Sequence, residues 1–166
     1  MTIAQAAFLT GLSVVVLIIL AFAGIVFAAA RVSDGGGRLS VLLLRRMVRS
    51  PRERAELNRW AFYLHRISGF TIFAFLAMHI VDVSLYSFSH RVYDNVHSLY
   101  ATPVLRLFEC GLVFAVLFHT INGLRLLAVD FADLGIAAST RVLGGVMVLT
   151  LTLGALACWF IMRPVF

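Results

Sequence analysis

The chain has too few charged residues to be a soluble protein of its size. Only 13% of its 166 residues are charged, whereas 61% are hydrophobic, and the mean hydropathy is +0.98. In an ordinary soluble domain about a quarter of the residues are charged. A soluble fold is therefore excluded, and we expect an integral membrane protein.

Cysteine and lysine are also scarce. The two cysteines, Cys110 and Cys158, both lie within long apolar runs, where a thiol is an inert filler and not a ligand or half of a disulfide. Lysine is absent, so all fourteen basic residues are arginines. Membrane topology and anionic lipid headgroups explain the net charge of +6, and no nucleic-acid partner is needed.

Four apolar runs are long enough to cross a bilayer. A hydrocarbon core of about 30 Å needs roughly 20 apolar residues in a helix, and the runs over residues 3–30, 60–88, 104–129 and 142–162 meet this length. The short connections after the second and third runs make consecutive helices antiparallel neighbours. We predict an all-α integral membrane bundle of four transmembrane helices, with no soluble catalytic domain.

The arginines predict how the bundle lies in the membrane. Eight of them fall between the first two runs, and the positive-inside rule places such a loop on the cytoplasmic side. The N-terminus is then outside, in a bacterial-type cytoplasmic membrane. Residues 1–5 carry no positive side chain, so we expect the first run to be a retained helix and not a signal peptide.

The basic loop supports two interpretations. Residues 39–48 mix apolar side chains with arginines, which is typical of a short interfacial helix, and Ser50-Pro51 fits a helix start. The loop is either a solvated linker lying on lipid or a docking surface for a soluble partner. We divide the chain into an N-terminal helix (1–30), a basic cytoplasmic linker (31–59) and a three-helix core (60–166).

Histidines inside the apolar runs are candidate functional residues, because ionisable groups at membrane depth are costly and mark functional sites. His119 stands alone within the third run, and Arg125 follows it toward the cytoplasmic boundary. One interpretation is an axial ligand of haem iron, with Arg125 neutralising a propionate. The other is a core histidine bonded to a hydroxyl such as that of Thr120.

His79 is the second intramembrane histidine, on the other side of the midplane. At about 1.5 Å per residue its depth differs from that of His119 by roughly 10 Å, whereas two ligands of one iron face each other across roughly 4 Å. Either each histidine pairs with one from another subunit, giving two haems, or one of them is structural. Asp82, one turn later, could bond to His79 or reach the outer interface, where Tyr100 is also expected.

A polar group lies where the second run leaves the cytoplasmic interface. It contains His65 and Arg66, with Tyr63 before them and Ser68 after them. Arginine here either snorkels to lipid phosphates or holds a quinone carbonyl or haem propionate through a charge-assisted hydrogen bond. Asp130, at the inner end of the third run, is expected at the same level, where its carboxylate could relay protons.

Two segments together resemble a known family. They are His65-Arg66-Ile67-Ser68-Gly69 and His119-Thr120-Ile121-Asn122-Gly123-Leu124-Arg125, with Pro103 and Glu109 between them and Asp130 after them. This combination is similar to the cytochrome b subunit of succinate dehydrogenase, the larger membrane anchor of respiratory complex II. The resemblance covers residues 60 to about 135. The helix over residues 1–30 is extra to the usual three-helix anchor.

The resemblance implies a subunit that is not catalytic alone but belongs to an enzyme complex. Its implied partners are a flavoprotein subunit, an iron-sulfur subunit that supplies electrons, and a second membrane anchor, and its substrate is quinone. His119 is implied as an axial ligand of haem b, with the opposite ligand supplied by the second anchor. His79 resembles the second ligand position of relatives with two haems, so we predict two b haems per complex.

The remaining implied roles fall into two groups. His65 and Arg125 approach haem propionates, whereas the quinone site is bordered by Arg66, Ser68, Tyr63 and Asp130. Many family members carry a serine three residues before the first histidine, where this chain has Phe62, so Tyr63, Ser68 or the partner chain must supply the hydroxyl to quinone. A fumarate reductase anchor of the same fold remains an alternative. A haem-free structural subunit, in which both intramembrane histidines make only interhelical hydrogen bonds, is an alternative from a different class.

Overall fold

A computed structural model describes residues 1–33 and 51–163 of the chain. Within these ranges the chain forms five α-helices and one short 3-10 helix, Ser98–Ala101. The α-helices are α1 (Ile3–Ser33), α2 (Pro51–Phe88), α3 (His90–His97), α4 (Pro103–Phe131) and α5 (Ile136–Met162). The interfacial helix predicted over residues 39–48 lies outside the described residues, as does Ser50.

Four of these helices are long and apolar enough to cross a membrane, which confirms the predicted all-α membrane bundle. The candidate spans are Ile3–Ala29, Arg54–Phe88, Pro103–Phe131 and Ile136–Met162. The boundary that we placed between residues 59 and 60 falls inside α2, a continuous helix of 38 residues. Charged residues with good helix propensity fill its first turns, and Pro51 is tolerated at the first helical position.

Helices α2, α4 and α5 pack against one another, and α1 packs on α2 and α3. Two aromatic pairs join α1 to α2: the rings of Phe22 and Phe70 stack at 4.3 Å, and those of Phe27 and Trp60 lie 5.6 Å apart. No residue in the most apolar window of α1 is buried. The N-terminal helix therefore lies at the periphery of a three-helix core.

A buried hydrogen bond fixes the connection between α2 and α4, residues 89–102. The Tyr100 hydroxyl donates to Oδ2 of Asp82 at 3.0 Å, and Asp82 is only 4% exposed. Burial, followed by the hydrogen bond to Asp82, raises the pKa of Tyr100. Of the two roles that we considered for Asp82, a bond to His79 and a position at the membrane interface, the first is not found among the described residues: Asp82 bonds to Tyr100 in this connection.

Candidate functional site

Two histidine rings meet between α2 and α4, toward the end of the bundle where α2 begins. The imidazoles of His65 and His119 stack with centroids 4.0 Å apart and planes 4° from parallel. Nδ1 of His119 lies 3.1 Å from the carbonyl oxygen of His65 and 3.3 Å from Oγ of Ser68. Ser68 in turn donates to the same carbonyl at 2.9 Å. His119 is thus held by α2 through three contacts.

These contacts determine the tautomer of His119. A carbonyl oxygen only accepts hydrogen bonds, so Nδ1 of His119 carries the proton and donates it. In the neutral imidazole Nε2 then keeps its lone pair, and no group among the described residues donates to it. One nitrogen oriented by a backbone carbonyl and the other left open is the arrangement that a metal-binding histidine needs.

Two glycines make room for the rings. A Cβ atom at Gly69 would lie 2.7 Å from Cε1 of His119, and one at Gly123 would lie 3.3 Å from Cε1 of His65. Each histidine precedes a glycine by four residues on its own helix, so the two antiparallel helices interlock reciprocally. The close approach of α2 and α4 at this level depends on both glycines.

The stacked pair does not itself form a two-histidine haem site. Axial ligands point their nitrogens at the iron from opposite sides, whereas these rings lie face to face with no space for a metal between them. His119 alone fits one axial position, through Nε2. Nδ1 of His65 is buried without a hydrogen-bond partner among the described residues. A second ligand would have to come from another chain.

His79 lies far from this pair. It follows His65 by fourteen residues on α2, which corresponds to about 21 Å along the helix axis. The separation from His119 is larger than the sequence indicated, because His119 lies level with His65, well toward the start of α2. The His79 side chain is exposed and contacts the ring of Phe75 at 5.6 Å, so a ligand could reach it only from outside the bundle.

Arg125 lies at the centre of a buried network that joins three helices. The residue is 4% exposed, and its Nε donates to the carbonyl of Ser139 at 3.2 Å. Its terminal nitrogens donate to Asn122 on its own helix, to Asn58 on α2 and to the Ser139 hydroxyl on α5. The propionate contact implied for Arg125 stays a prediction, and it would compete with these bonds.

The implied quinone residues do not all share one face of α2. Arg66 is exposed, with its guanidinium 4.3 Å from the ring centre of Phe62. Ser68 is buried against His119, because two residues on a helix are turned by about 200°. Asp130 is exposed and follows His119 by eleven residues on α4, which is about 16 Å along the helix axis toward the start of α2. It therefore does not lie level with Arg66, as we expected, and the two residues form no ion pair in the described part of the chain. Tyr63 is half-buried, with its ring 6.0 Å from that of Trp60.

The match to known proteins covers most of the core. Residues 45–158 match the family described as the succinate dehydrogenase/fumarate reductase transmembrane subunit. The chain belongs to this family. The segments of both stacked histidines lie inside the matched region, which confirms the resemblance found in the sequence and identifies a membrane anchor subunit of the complex II type.

Two relatives of this family show how far the similarity extends. The chain is 45% identical over 85 residues to the succinate dehydrogenase 2 membrane subunit SdhC of Mycobacterium tuberculosis, over 50% of this chain and 62% of the relative. It is 34% identical over 83 residues to the succinate dehydrogenase hydrophobic membrane anchor subunit of Halobacterium salinarum, over 49% and 62%. The chain therefore spans less than two thirds of the length of these relatives.

Sequence reasoning gave no role to three polar residues of this family member, although one of them lies in the segment that carries the resemblance. Asn58, Asn122 and Ser139 hold the Arg125 guanidinium, and Asn122 is fully buried. The available signal was the presence of amide and hydroxyl side chains within or beside apolar runs, since polar groups at helix interfaces hydrogen-bond across helices. This signal does not indicate which helix supplies the hydrogen-bond partner of each side chain.

Proposed function

We propose that this chain is the membrane anchor and haem b subunit of a succinate:quinone oxidoreductase, which passes electrons from an iron-sulfur subunit to quinone. The observation that carries the proposal is the hydrogen bonding of the His119 ring. Its Nδ1 donates to the His65 carbonyl, and its Nε2 has no hydrogen-bond partner among the described residues. Both segments involved lie within the family match. The names of the two relatives, which are succinate dehydrogenase membrane subunits, agree with the assignment.

In this proposal His119 would hold the haem iron, and a second membrane anchor would supply the other ligand. Bound haem b would supply a one-electron carrier between the iron-sulfur subunit and quinone. The His65 carbonyl and the Ser68 hydroxyl orient the His119 ring, and the stacked ring of His65 restricts its rotation. A second haem, on His79, would likewise take its other ligand from the second anchor, because His79 faces outward.

Quinone is proposed to bind on the Arg66 face of α2. The guanidinium is held over the Phe62 ring, where a cation–π contact positions it and its N–H groups remain able to donate to a quinone carbonyl. Tyr63 is the proposed hydroxyl of this site, and Asp130, which lies nearer the start of α2, is the proposed carboxylate at its rim. This end of α2 also carries the arginine-rich approach to the membrane, so the flavoprotein and iron-sulfur subunits would dock there, on the cytoplasmic side.

A reduced-minus-oxidised optical spectrum of the assembled complex tests the haem proposal. The wild-type complex should show a b-type band, and a pyridine haemochrome assay should give two haems per flavin. His119→Ala should remove one haem, and His79→Ala should remove the other. His90→Ala, in the short outer helix α3, is the matched control and should remove neither. One haem per flavin in the wild-type complex would contradict the assignment of His79.

A haem-free structural subunit is the second candidate, and one observation favours it. Nδ1 of His119 already has interhelical partners in Ser68 and the His65 carbonyl, which satisfy the buried nitrogen without any metal. Absence of a b-type band from a complex that retains succinate oxidation would support this candidate. A fumarate reductase anchor shares the fold, and the direction of catalysis in the isolated complex with quinone or quinol separates the two enzymes.

A further inference from the structure

A groove between α2, α4 and α5 has no role in the proposed redox site. Its volume is about 750 Å³, within the range of roughly 300–1000 Å³ typical of ligand sites. We call it the inner groove. Its lining includes the residues Arg54, Leu57, Leu64, Arg141, Leu143 and Met147. Leu64 and Arg66 are two residues apart on α2, so the inner groove and the proposed quinone face lie on opposite sides of that helix.

The inner groove is charged at one end and apolar along the rest. Arg54 precedes Leu64 by ten residues on α2, and Arg141 precedes Met147 by six residues on α5, which correspond to about 15 Å and 9 Å. The two helices run in the same direction, because α4 returns between them. Both arginines therefore lie at the level where the chain enters the membrane, and the leucine walls lie deeper.

The geometry points to one anionic phospholipid as the occupant of the inner groove. We infer that its phosphate contacts Arg54 and Arg141 and that an acyl chain follows Leu57, Leu64 and Leu143 into the membrane. Basic pockets between transmembrane helices on the cytoplasmic side bind anionic headgroups in this way. Arg141 is exposed and forms no ion pair within the described ranges, so its charge is available to the phosphate.

Charge is what distinguishes this occupant from the others that an apolar groove could take. A neutral quinone would leave the charge of Arg141 uncompensated, and so would an apolar helix of another subunit. A zwitterionic lipid would bring its own cation to the same end. The inference rests on the groove and its charges alone, and it holds whether or not the subunit binds haem.

Lipid titration followed by native mass spectrometry tests the inference on the full-length protein, purified in non-ionic detergent with its associated subunits. Dioleoyl phosphatidylglycerol should bind more tightly than dioleoyl phosphatidylcholine. Arg141→Gln should weaken phosphatidylglycerol binding about fivefold, the value expected for one arginine at the membrane surface. Arg163→Gln, at the far end of α5, is the matched control and should leave binding unchanged.

A pair of adjacent glycines provides a steric test. Gly144 lines the inner groove, whereas Gly145 does not, and a Cβ atom at either position meets nothing within 4 Å. Gly144→Leu should therefore block phosphatidylglycerol binding, and Gly145→Leu should preserve it. Equal affinity for the two lipids would overturn the inference. Equal losses in Arg141→Gln and Arg163→Gln, or wild-type binding in Gly144→Leu, would also overturn it.

Discussion

Replacing Gly69 by alanine should displace the His119 imidazole. The added Cβ atom would lie 2.7 Å from Cε1 and 3.1 Å from Nδ1 of that ring. Ordinary contact begins near 3.4 Å, so the ring would have to move by roughly 0.7 Å. The stacked ring of His65, at a centroid distance of 4.0 Å, leaves little space for this movement. The Nδ1 contacts to Ser68 and the His65 carbonyl would lengthen.

The expected change in the free energy of unfolding is the difference between two opposing effects. Overpacking a tight interior typically costs about 1–3 kcal/mol, whereas alanine is favoured over glycine in a helix by about 0.5–1 kcal/mol. Gly69→Ala should therefore lower the free energy of unfolding by up to roughly 2.5 kcal/mol. Gly111 on α4 is exposed, and a Cβ atom there meets nothing within 4 Å. Gly111→Ala should instead be neutral or stabilising.

Two measurements on the same preparations check this prediction. Denaturant unfolding in detergent should give changes of opposite sign for Gly69→Ala and Gly111→Ala. Haem content per flavin should fall in Gly69→Ala, because a displaced ring no longer presents Nε2 correctly, and should be unchanged in Gly111→Ala. Gly123→Ala, with a contact of 3.3 Å to His65, should give a smaller effect. Identical stability and haem content in Gly69→Ala and Gly111→Ala would refute the reasoning.

Three other predictions concern separate parts of the molecule. Arg125→Ala removes three interhelical hydrogen bonds worth roughly 0.6–1.7 kcal/mol each, so it should lower the unfolding free energy by roughly 2–5 kcal/mol. The exposed Arg141→Ala should change it by less than about 0.5 kcal/mol, and equal effects would contradict the buried network. Because the pKa of Tyr100 is raised in the fold, its contribution to stability is present below the unfolded pKa of about 10 and is lost as the pH rises toward the folded pKa. Tyr100→Phe should therefore reduce the alkaline loss of stability between pH 9 and pH 11, and an unchanged pH dependence would contradict the role of the Asp82 bond. Arg66→Ala should lower quinone reduction while succinate oxidation with a soluble dye survives, whereas an equal fall in both activities would make Arg66 structural.

The helices could be predicted from the sequence, because the length of an apolar run decides whether it crosses a bilayer. The four candidate spans agree with the four predicted runs. Pro51 correctly indicated where α2 begins, but the charged residues up to Arg59 were assigned to the linker domain. Charge alone does not end a helix, and here the helix continues through these residues.

Side-chain contacts between the helices could not be predicted in the same way. A run that is apolar on every face does not indicate which face meets a neighbour, so the rotation of α2 and α4 about their axes was undetermined. The contact of His119 with Gly69 and the bonds of Arg125 to Asn58 and Ser139 depend on that rotation. The separation of His79 from His119 was also underestimated, because the depth of His79 was measured from the middle of the run 60–88, whereas α2 begins at Pro51 and its candidate span at Arg54.

Haem bound through His119 is the central claim of this account, and the reduced-minus-oxidised spectrum of the assembled complex tests it most directly. The account predicts a b-type band in the wild-type complex and, in His119→Ala, loss of the haem that this residue ligates, with succinate oxidation by a soluble dye retained. A wild-type complex without such a band would contradict the account. A band of equal intensity in wild type and His119→Ala would contradict it as well.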